Sequence, residues 1–434
     1  VPSDRSWPEL QPPECVAAEQ SSREPSPRWS RALTALHHAD RRAARALAHT
    51  AGAALARTRA EAACESVPLA EAPGRVLARD AHAACPVPHY ASSAMDGWAV
   101  RGPGPWRPLS PRHDDALPST ASDVALEPGT AVPVVTGGVV PAGATTVVRD
   151  EYSRVDGVTL DLAPGAPQTE LAGRHLRPAG TECATGDLLL AEGDTVSPVD
   201  AALAAVAGLD SLQVRTPPRV AVLLTGSEVL SAGVPGPGRV RDAFSMSLPH
   251  IATAYGARVG TVQRVPDDPE QLAAAFDAAC ADHDLVLTTG GTSRSAADHV
   301  RPLVHARTRV LVDQLGLQPG HPALLGAGER AAVLALPGNP LGAVVVLLLL
   351  GGGFLAGFLG REPQPFTPAV TGVDVPGGRS DRLVPARRRE GAWVPCRSVG
   401  SNMLSGLAAA DGLLAVPRGG LAAGGAAEIL ALPW

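Results

Sequence analysis

Three times in the second half of the chain an apolar run ends in a glycine-containing turn. Arg219–Leu224 runs into Thr225–Glu228 (TGSE), Leu285–Thr289 into the overlapping loop Thr288–Ser293 (TTGGTS), and Val333–Leu336 into Leu336–Pro340 (LPGNP). Helical spacing occupies Phe244–Tyr255 and Asp268–Cys280 between them. Strand, glycine loop and helix in repeated order is the pattern of a parallel doubly wound sheet, whose ligands sit beyond the carboxyl ends of the strands. Such loops present unpaired backbone N–H groups and the positive end of a helix to an anion. One glycine turn is only a turn, but three at strand ends of one domain point to an anionic ligand.

Carboxylates accompany these loops: Glu228 in the first, Asp242 after the Gly-rich turn Gly233–Arg239, and Asp298 seven residues beyond Gly291. Hard oxygen ligands of this kind suit Mg²⁺ bridging phosphates. Taken singly, each is equally well a helix N-cap or a surface acid.

The length of 434 residues implies several domains. All 37 basic residues are arginine, against 43 acids and a net charge of −6. No basic stripe is present, and the short cluster Arg387–Arg389 reads as solvated surface, so nucleic acid is not an expected partner. Six cysteines without CxxC pairs fit a reducing compartment, and the N-terminus lacks a secretion-type leader, so the expected location is cytoplasmic. The uncharged stretch Leu341–Gly360 is long enough to cross a bilayer. Its six glycines and its position after PGNP instead suggest a buried helix packed behind a phosphate site, with no membrane partner.

Residues 1–29, rich in Pro, Ser and Glu, read as a disordered tail. Apolar spacing from Trp29 to Ala63 suggests one or two amphipathic helices, a candidate dimerisation face. Residues 125–196 alternate short β-branched runs with Gly and Pro turns, as in a small β-rich domain. The segment from Arg361 to Trp434 has short strands and no long helical period, and reads as a β-barrel or β-sandwich.

In order, the segments GRVLARDAHA, SSAMDGWAVR, VVTGGVVPAGATTVVRDE, AGTECATGDLLL, VAVLLTGSEVL, VRDAFS, LVLTTGGTSRSAAD, LALPGNPLGA and GLAAADGLLAVP resemble the successive blocks of the molybdopterin molybdenumtransferases, the molybdenum insertases. The resemblance covers about residues 66 to 434, and its number of blocks separates it from the smaller molybdopterin adenylyltransferases, which TTGG alone would also fit. It implies an α/β multidomain homodimer with a Rossmann-like molybdopterin-binding domain at 217–360 and a C-terminal β-barrel at 361–434. A small β-rich domain is expected at 66–82 plus 92–183, and an elongated helical linker domain at 30–65 plus about 83–91 and 184–216. The implied activity inserts molybdate into adenylylated molybdopterin and releases AMP in the presence of Mg²⁺. The partners implied are a pterin nucleotide, a second copy of the chain and, as a candidate, the molybdopterin adenylyltransferase.

Matched to the family's blocks, the catalytic acids fall on Asp96, Glu228, Asp242 and Asp298, the last two also as metal ligands, with Trp98 in place of a tyrosine beside Asp96. The implied cleft joins the Asp96 loop to the nucleotide-type domain of the other subunit. Substrate-binding positions are Thr136, Glu182, Thr225, Gly226, Ser245, Thr289, Gly290, Gly291, Ser293 and Arg294. Gln318, His321, Pro337, Gly338, Asn339 and Pro340 complete that set, and Glu151 matches the terminal acid of the third block. The chain departs from the pattern where the family has a lysine-bearing segment ending KPGKP. Here stand Gln314, Gln318 and His321, and no lysine exists elsewhere to replace them. Phe244 replaces a polar asparagine, and Ser295 a glycine after the TGGxS serine. Arg294 could supply a planar bidentate phosphate contact in the lysines' stead. The alternative function is a paralogue that binds molybdopterin or a partner without turnover.

Overall fold

Strands buried on both faces read as continuous apolar runs rather than alternating ones, and the three runs that precede the glycine loops have this character. The computed structural model describes residues 27–59, 64–109, 125–167, 173–292 and 298–434, so the N-terminal tail expected at 1–29 lies almost wholly outside them. The chain divides into two compact units: one comprises residues up to Leu55 with Arg219–Phe354 and Gln364–Trp434, the other Ala56–Pro218 with Leu355–Pro363.

The first unit holds a seven-stranded sheet, its strands labelled in chain order. They are β1 (Leu36–Ala39), β2 (Arg219–Leu224), β3 (Arg258–Arg264), β4 (Leu285–Thr289), β5 (Arg309–Leu315), β6 (Leu324–Ala327) and β7 (Ala332–Leu336), in the order β1-β5-β6-β7-β4-β2-β3. Strands β3, β2, β4 and β7 run parallel, and β4 and β7 are buried throughout. The sheet is mixed, not wholly parallel as expected: β6 runs antiparallel to both β5 and β7. The cause is the short link from β6 to β7, closed by the Gly328 amide on the Ala331 carbonyl at 2.8 Å, because so short a link cannot make the crossover that parallel strands require.

Two further differences concern the N-terminal region and the C-terminal sheet. Residues 30–65 were expected with the linker. Those up to Leu55 instead belong to the first unit, where β1 adds in parallel to β5 and the helix Arg41–Arg57 behind it ties to the C-terminal sheet through Arg41, 3.0 Å from Asp381 and 2.7 Å from Glu428. That sheet contains Phe366–Val370, Asp381–Arg389, Ala392–Pro395, Gly412–Val416 and Ala426–Ala431, with Leu317–Gln318 from the nucleotide-type domain pairing to Asp381–Arg382. A single parallel bridge, Thr371 to Trp393, approaches closure, but among the described residues no ladder completes the β-barrel expected at 361–434.

In the second unit Arg107–Pro108, Thr130–Val134, Gly97–Val100 and Thr146–Arg149 form a four-stranded sheet. Its Gly97 is required, since a Cβ there would stand 2.1 Å from the Val148 carbonyl oxygen. The expected grouping of 66–82 with this β-rich part is corrected by pairing. Cys64–Pro68 pairs with Ser211–Arg215 and Ala81–His82 with Leu188–Leu190, around a core that includes Val67, Leu77, Ala204 and Val214.

Among the described residues one helix, Pro340–Phe358, is long and apolar enough to cross a membrane, and 94% of its apolar 18-residue window is buried within the protein. A π-turn at Leu347–Gly351 precedes the glycines that let neighbours approach. A Cβ on Gly352 would lie 2.8 Å from the buried ring of Tyr255, and one on Gly353 would lie 3.1 Å from the Arg45 carbonyl. Because packed interiors resist added methylenes, Gly352→Ala is expected to cost about 1–3 kcal/mol in chemical denaturation. An unchanged midpoint and slope would contradict this account of the glycine cluster.

Candidate active site

The carboxyl ends of β2, β4 and β7 open on one cavity of about 580 Å³. The loops are laced together: the Thr225 amide donates to Thr289 Oγ1 at 3.3 Å, Thr225 Oγ1 donates to the Thr289 carbonyl, and the Gly290 amide donates to the Leu336 carbonyl at 3.1 Å. Gly291, at φ +60°, adopts a conformation that glycine tolerates best, and a Cβ there would stand 2.9 Å from Val300. A short parallel pair, Val229–Leu230 with Val240–Arg241, then carries Asp242 beside the first loop. Thr225, Gly226, Glu228, Asp242, Thr289, Gly290, Gly291, Asp298, Gly338, Asn339 and Pro340 therefore all line the cavity, as does Asn402 from the C-terminal segment.

The three loops are not equivalent as anion sites. In the first, the carboxylate of Asp267 already accepts the amides of Gly226 and Ser227, at 3.1 and 2.7 Å. At the start of the helix in the third, the amides of Leu341 and Gly342 donate to the Ser401 carbonyl, at 2.9 and 3.4 Å. Among the described residues no acceptor meets the amides of Gly291, Gly338 or Asn339. These open donors lie on adjoining loops, since a Cβ on Gly338 would be 3.6 Å from the Gly290 Cα. The donors left open among the described residues thus lie between the second and third loops.

The four acids that line the cavity, Glu228, Asp242, Asp267 and Asp298, divide in the same way. Asp242, only 6% exposed, accepts the amides of Phe244 at 2.8 Å and Ser245 at 3.1 Å on Oδ1 and an ion pair from Arg264 on Oδ2. Burial alone would raise its pKa, but the hydrogen bonds from Ser245 and Phe244 and the Arg264 charge outweigh that and hold it below the ordinary value. Asp267 is held low likewise: partial burial opposes, while hydrogen bonds from Ser227 and Gly226 and the nearby His299 prevail. Glu228 and Asp298 are different. The Glu228 carboxylate has no hydrogen bond among the described residues, and Asp298 Oδ2 is buried with no partner among them. Two carboxylates hold the architecture and two remain available.

Other expected positions lie elsewhere. Ser245 and Pro337 flank the cavity without lining it. Gln318 ends a strand of the C-terminal sheet, while His321 stacks on His38 and its Nδ1 lies 2.7 Å from the Leu315 carbonyl oxygen, so neither lines the cavity. Ser293, Arg294 and Ser295 lie outside the described residues. Asp96, Thr136, Glu151 and Glu182 belong to the second unit. There the Thr136 amide and hydroxyl donate to Asp96 Oδ1 at 2.7 and 3.0 Å, Glu151 pairs with Arg149, and Trp98 is buried in the core. Sequence reasoning missed Asp267, Arg264, Arg241, His299 and Asn402. Asp267 could have been found as a strand-end carboxylate three residues beyond β3, whereas nothing in the spacing marks Asn402.

The N-terminal family model, described as the MoeA N-terminal region (domain I and II), matches residues 41–208, and a probable molybdopterin binding domain matches 221–356. The chain is 32% identical over 374 residues to a Mycobacterium tuberculosis protein named molybdopterin molybdenumtransferase 2, covering 81% of this chain and 91% of that one. The chain belongs to the molybdopterin molybdenumtransferase family. Another molybdopterin molybdenumtransferase, from Synechococcus elongatus, is 33% identical over 297 residues, 65% of this chain and 72% of its own. A crystal structure of a molybdopterin biosynthesis protein from Pyrococcus horikoshii superposes with a TM-score of 0.71 at 25% identity, covering 86% of this chain and 95% of that one. The molybdenumtransferase fold is accordingly shared over most of the chain.

A carboxyl whose native pKa lies below its unfolded value stabilises the fold above about pH 3.9 and loses that contribution as pH falls through the native value. Protection of the Gly226 and Ser227 amides should therefore be complete above about pH 4 and fade below it. Asp267→Ala should speed hydrogen exchange at both amides about tenfold at neutral pH, the lower end for a hydrogen bond to a charged group. Exchange unchanged by the substitution would show that Asp267 does not close the loop.

Proposed function

We propose that this molybdenumtransferase completes the molybdenum cofactor: it binds adenylylated molybdopterin, places molybdate on the dithiolene sulfurs and releases AMP. The observation that carries this reading is the coexistence, in one cavity, of amides at Gly291, Gly338 and Asn339 and carboxylates at Glu228 and Asp298 that are left open among the described residues. Open amides suit phosphate oxygens, which need donors in fixed positions. Glu228, without a hydrogen bond of its own among the described residues, is placed to orient a water toward the phosphoanhydride and take its proton.

Mg²⁺ commonly takes one or two carboxylates and completes its shell with water and phosphate oxygens. Asp298 fits that role, because its buried Oδ2 lacks a donor. Asp242 fits it poorly, with both oxygens already engaged, and among the described residues no group of three or more His, Cys, Asp or Glu forms a protein cage. When bound, the ion would neutralise charge on the phosphates. Arg241 lines the cavity with no partner among the described residues and supplies a second positive charge to it. The family relationship supports cytoplasmic action as a homodimer, on adenylylated pterin made by a preceding adenylyltransferase.

Purified protein given adenylylated molybdopterin, Mg²⁺ and molybdate should release AMP. Glu228→Gln should slow release about 100-fold or more, the range for loss of a general base. Asp298→Asn should raise the Mg²⁺ concentration needed for half-maximal rate. Wild-type protein that binds the nucleotide but releases no AMP would favour a binding paralogue instead.

A further inference from the structure

We infer that Phe244 is the platform on which the flat heteroaromatic ring of the bound ligand stacks, an inference that rests on the cavity binding a pterin nucleotide. Phe244 opens the helix Phe244–Ala254. Four, seven and eight residues on, Leu248, Ile251 and Ala252 form that helix's buried stripe, at 0%, 6% and 0% exposure. Phe244 begins the same stripe but is only half-buried and borders the cavity. It is the only benzenoid ring among the described lining residues.

Its position is fixed from below. The Phe244 amide donates to Asp242 at 2.8 Å and the Ser245 amide at 3.1 Å, and Arg264 holds the same carboxylate from its other side. The ring's backbone is therefore anchored before a ligand arrives, which lowers the ordering cost of stacking. A flat nitrogen heterocycle gains from an aromatic face whatever its hydrogen-bonding edge. Adenine and pterin share that chemistry, and each sits at one end of the proposed substrate with phosphates between them.

The test is calorimetric binding of AMP, a pterin monophosphate and ribose 5-phosphate to the full chain, in wild-type protein and in the Phe244→Leu and Phe244→Tyr variants. Leucine keeps the apolar contact with the helix and removes the aromatic face. Phe244→Leu should weaken one ring-bearing ligand about tenfold and leave ribose 5-phosphate within about twofold, while Phe244→Tyr should bind like wild type. Weakened AMP identifies adenine as the stacked ring, and weakened pterin monophosphate identifies the pterin. Wild-type binding that Phe244→Leu leaves unchanged, or weakens equally for all three ligands, overturns the stacking role alone. Wild-type protein that binds none of the three overturns the functional reading and the stacking role with it.

Discussion

In-register pairing of three buried parallel strands is the constraint on which the rest of the site depends. Leu224 pairs with Thr289, and Thr289 with Leu336, so β2, β4 and β7 end at one level and release their loops side by side. Slipping one strand by a residue would turn its buried side chains to the other face and move its loop out of line. The hydrogen bonds that join Thr225 to Thr289 and Gly290 to Leu336 follow from that register. Most of the cavity wall is thus a consequence of sheet packing, and the glycines allow the chains to turn where the strands stop.

How each loop is then used depends on side chains that satisfy some amides and leave others open. Asp267 closes the first loop and Asp242 secures the helix that carries Phe244, each kept ionised by the donors it meets. Glu228 and Asp298 remain without such partners among the described residues. The chain has no lysine, and Gln314, Gln318 and His321 do not line the cavity. His321 is instead engaged with the Leu315 carbonyl and His38. The arginine that lines the cavity is Arg241, which has no partner among the described residues, whereas Arg264, tied to Asp242, stands behind the lining.

Much of this was legible in the sequence because continuous burial writes itself into composition. The runs ending at Leu224, Thr289 and Leu336 announce strands, and the helices at Phe244 and Pro269 begin within a residue of where their spacing places them. Less legible was everything set by long-range pairing. Four residues, Leu36–Ala39, join a sheet whose next strand in the chain lies about 180 residues away, and nothing in their local pattern says so. The antiparallel course of β6 and the unclosed C-terminal sheet likewise depend on which edges meet. In the site, spacing located the acids but could not distinguish Asp242, engaged on both oxygens, from Asp298, with a buried oxygen to spare.

A crystal structure of the protein with AMP tests the central claim most directly, because it shows which loops hold a phosphate. The account predicts phosphate oxygens on the amides of Gly291, Gly338 and Asn339, with Asp267 still holding Gly226 and Ser227. A phosphate seated on Gly226 and Ser227 with Asp267 displaced, or AMP bound outside the cavity, would contradict it.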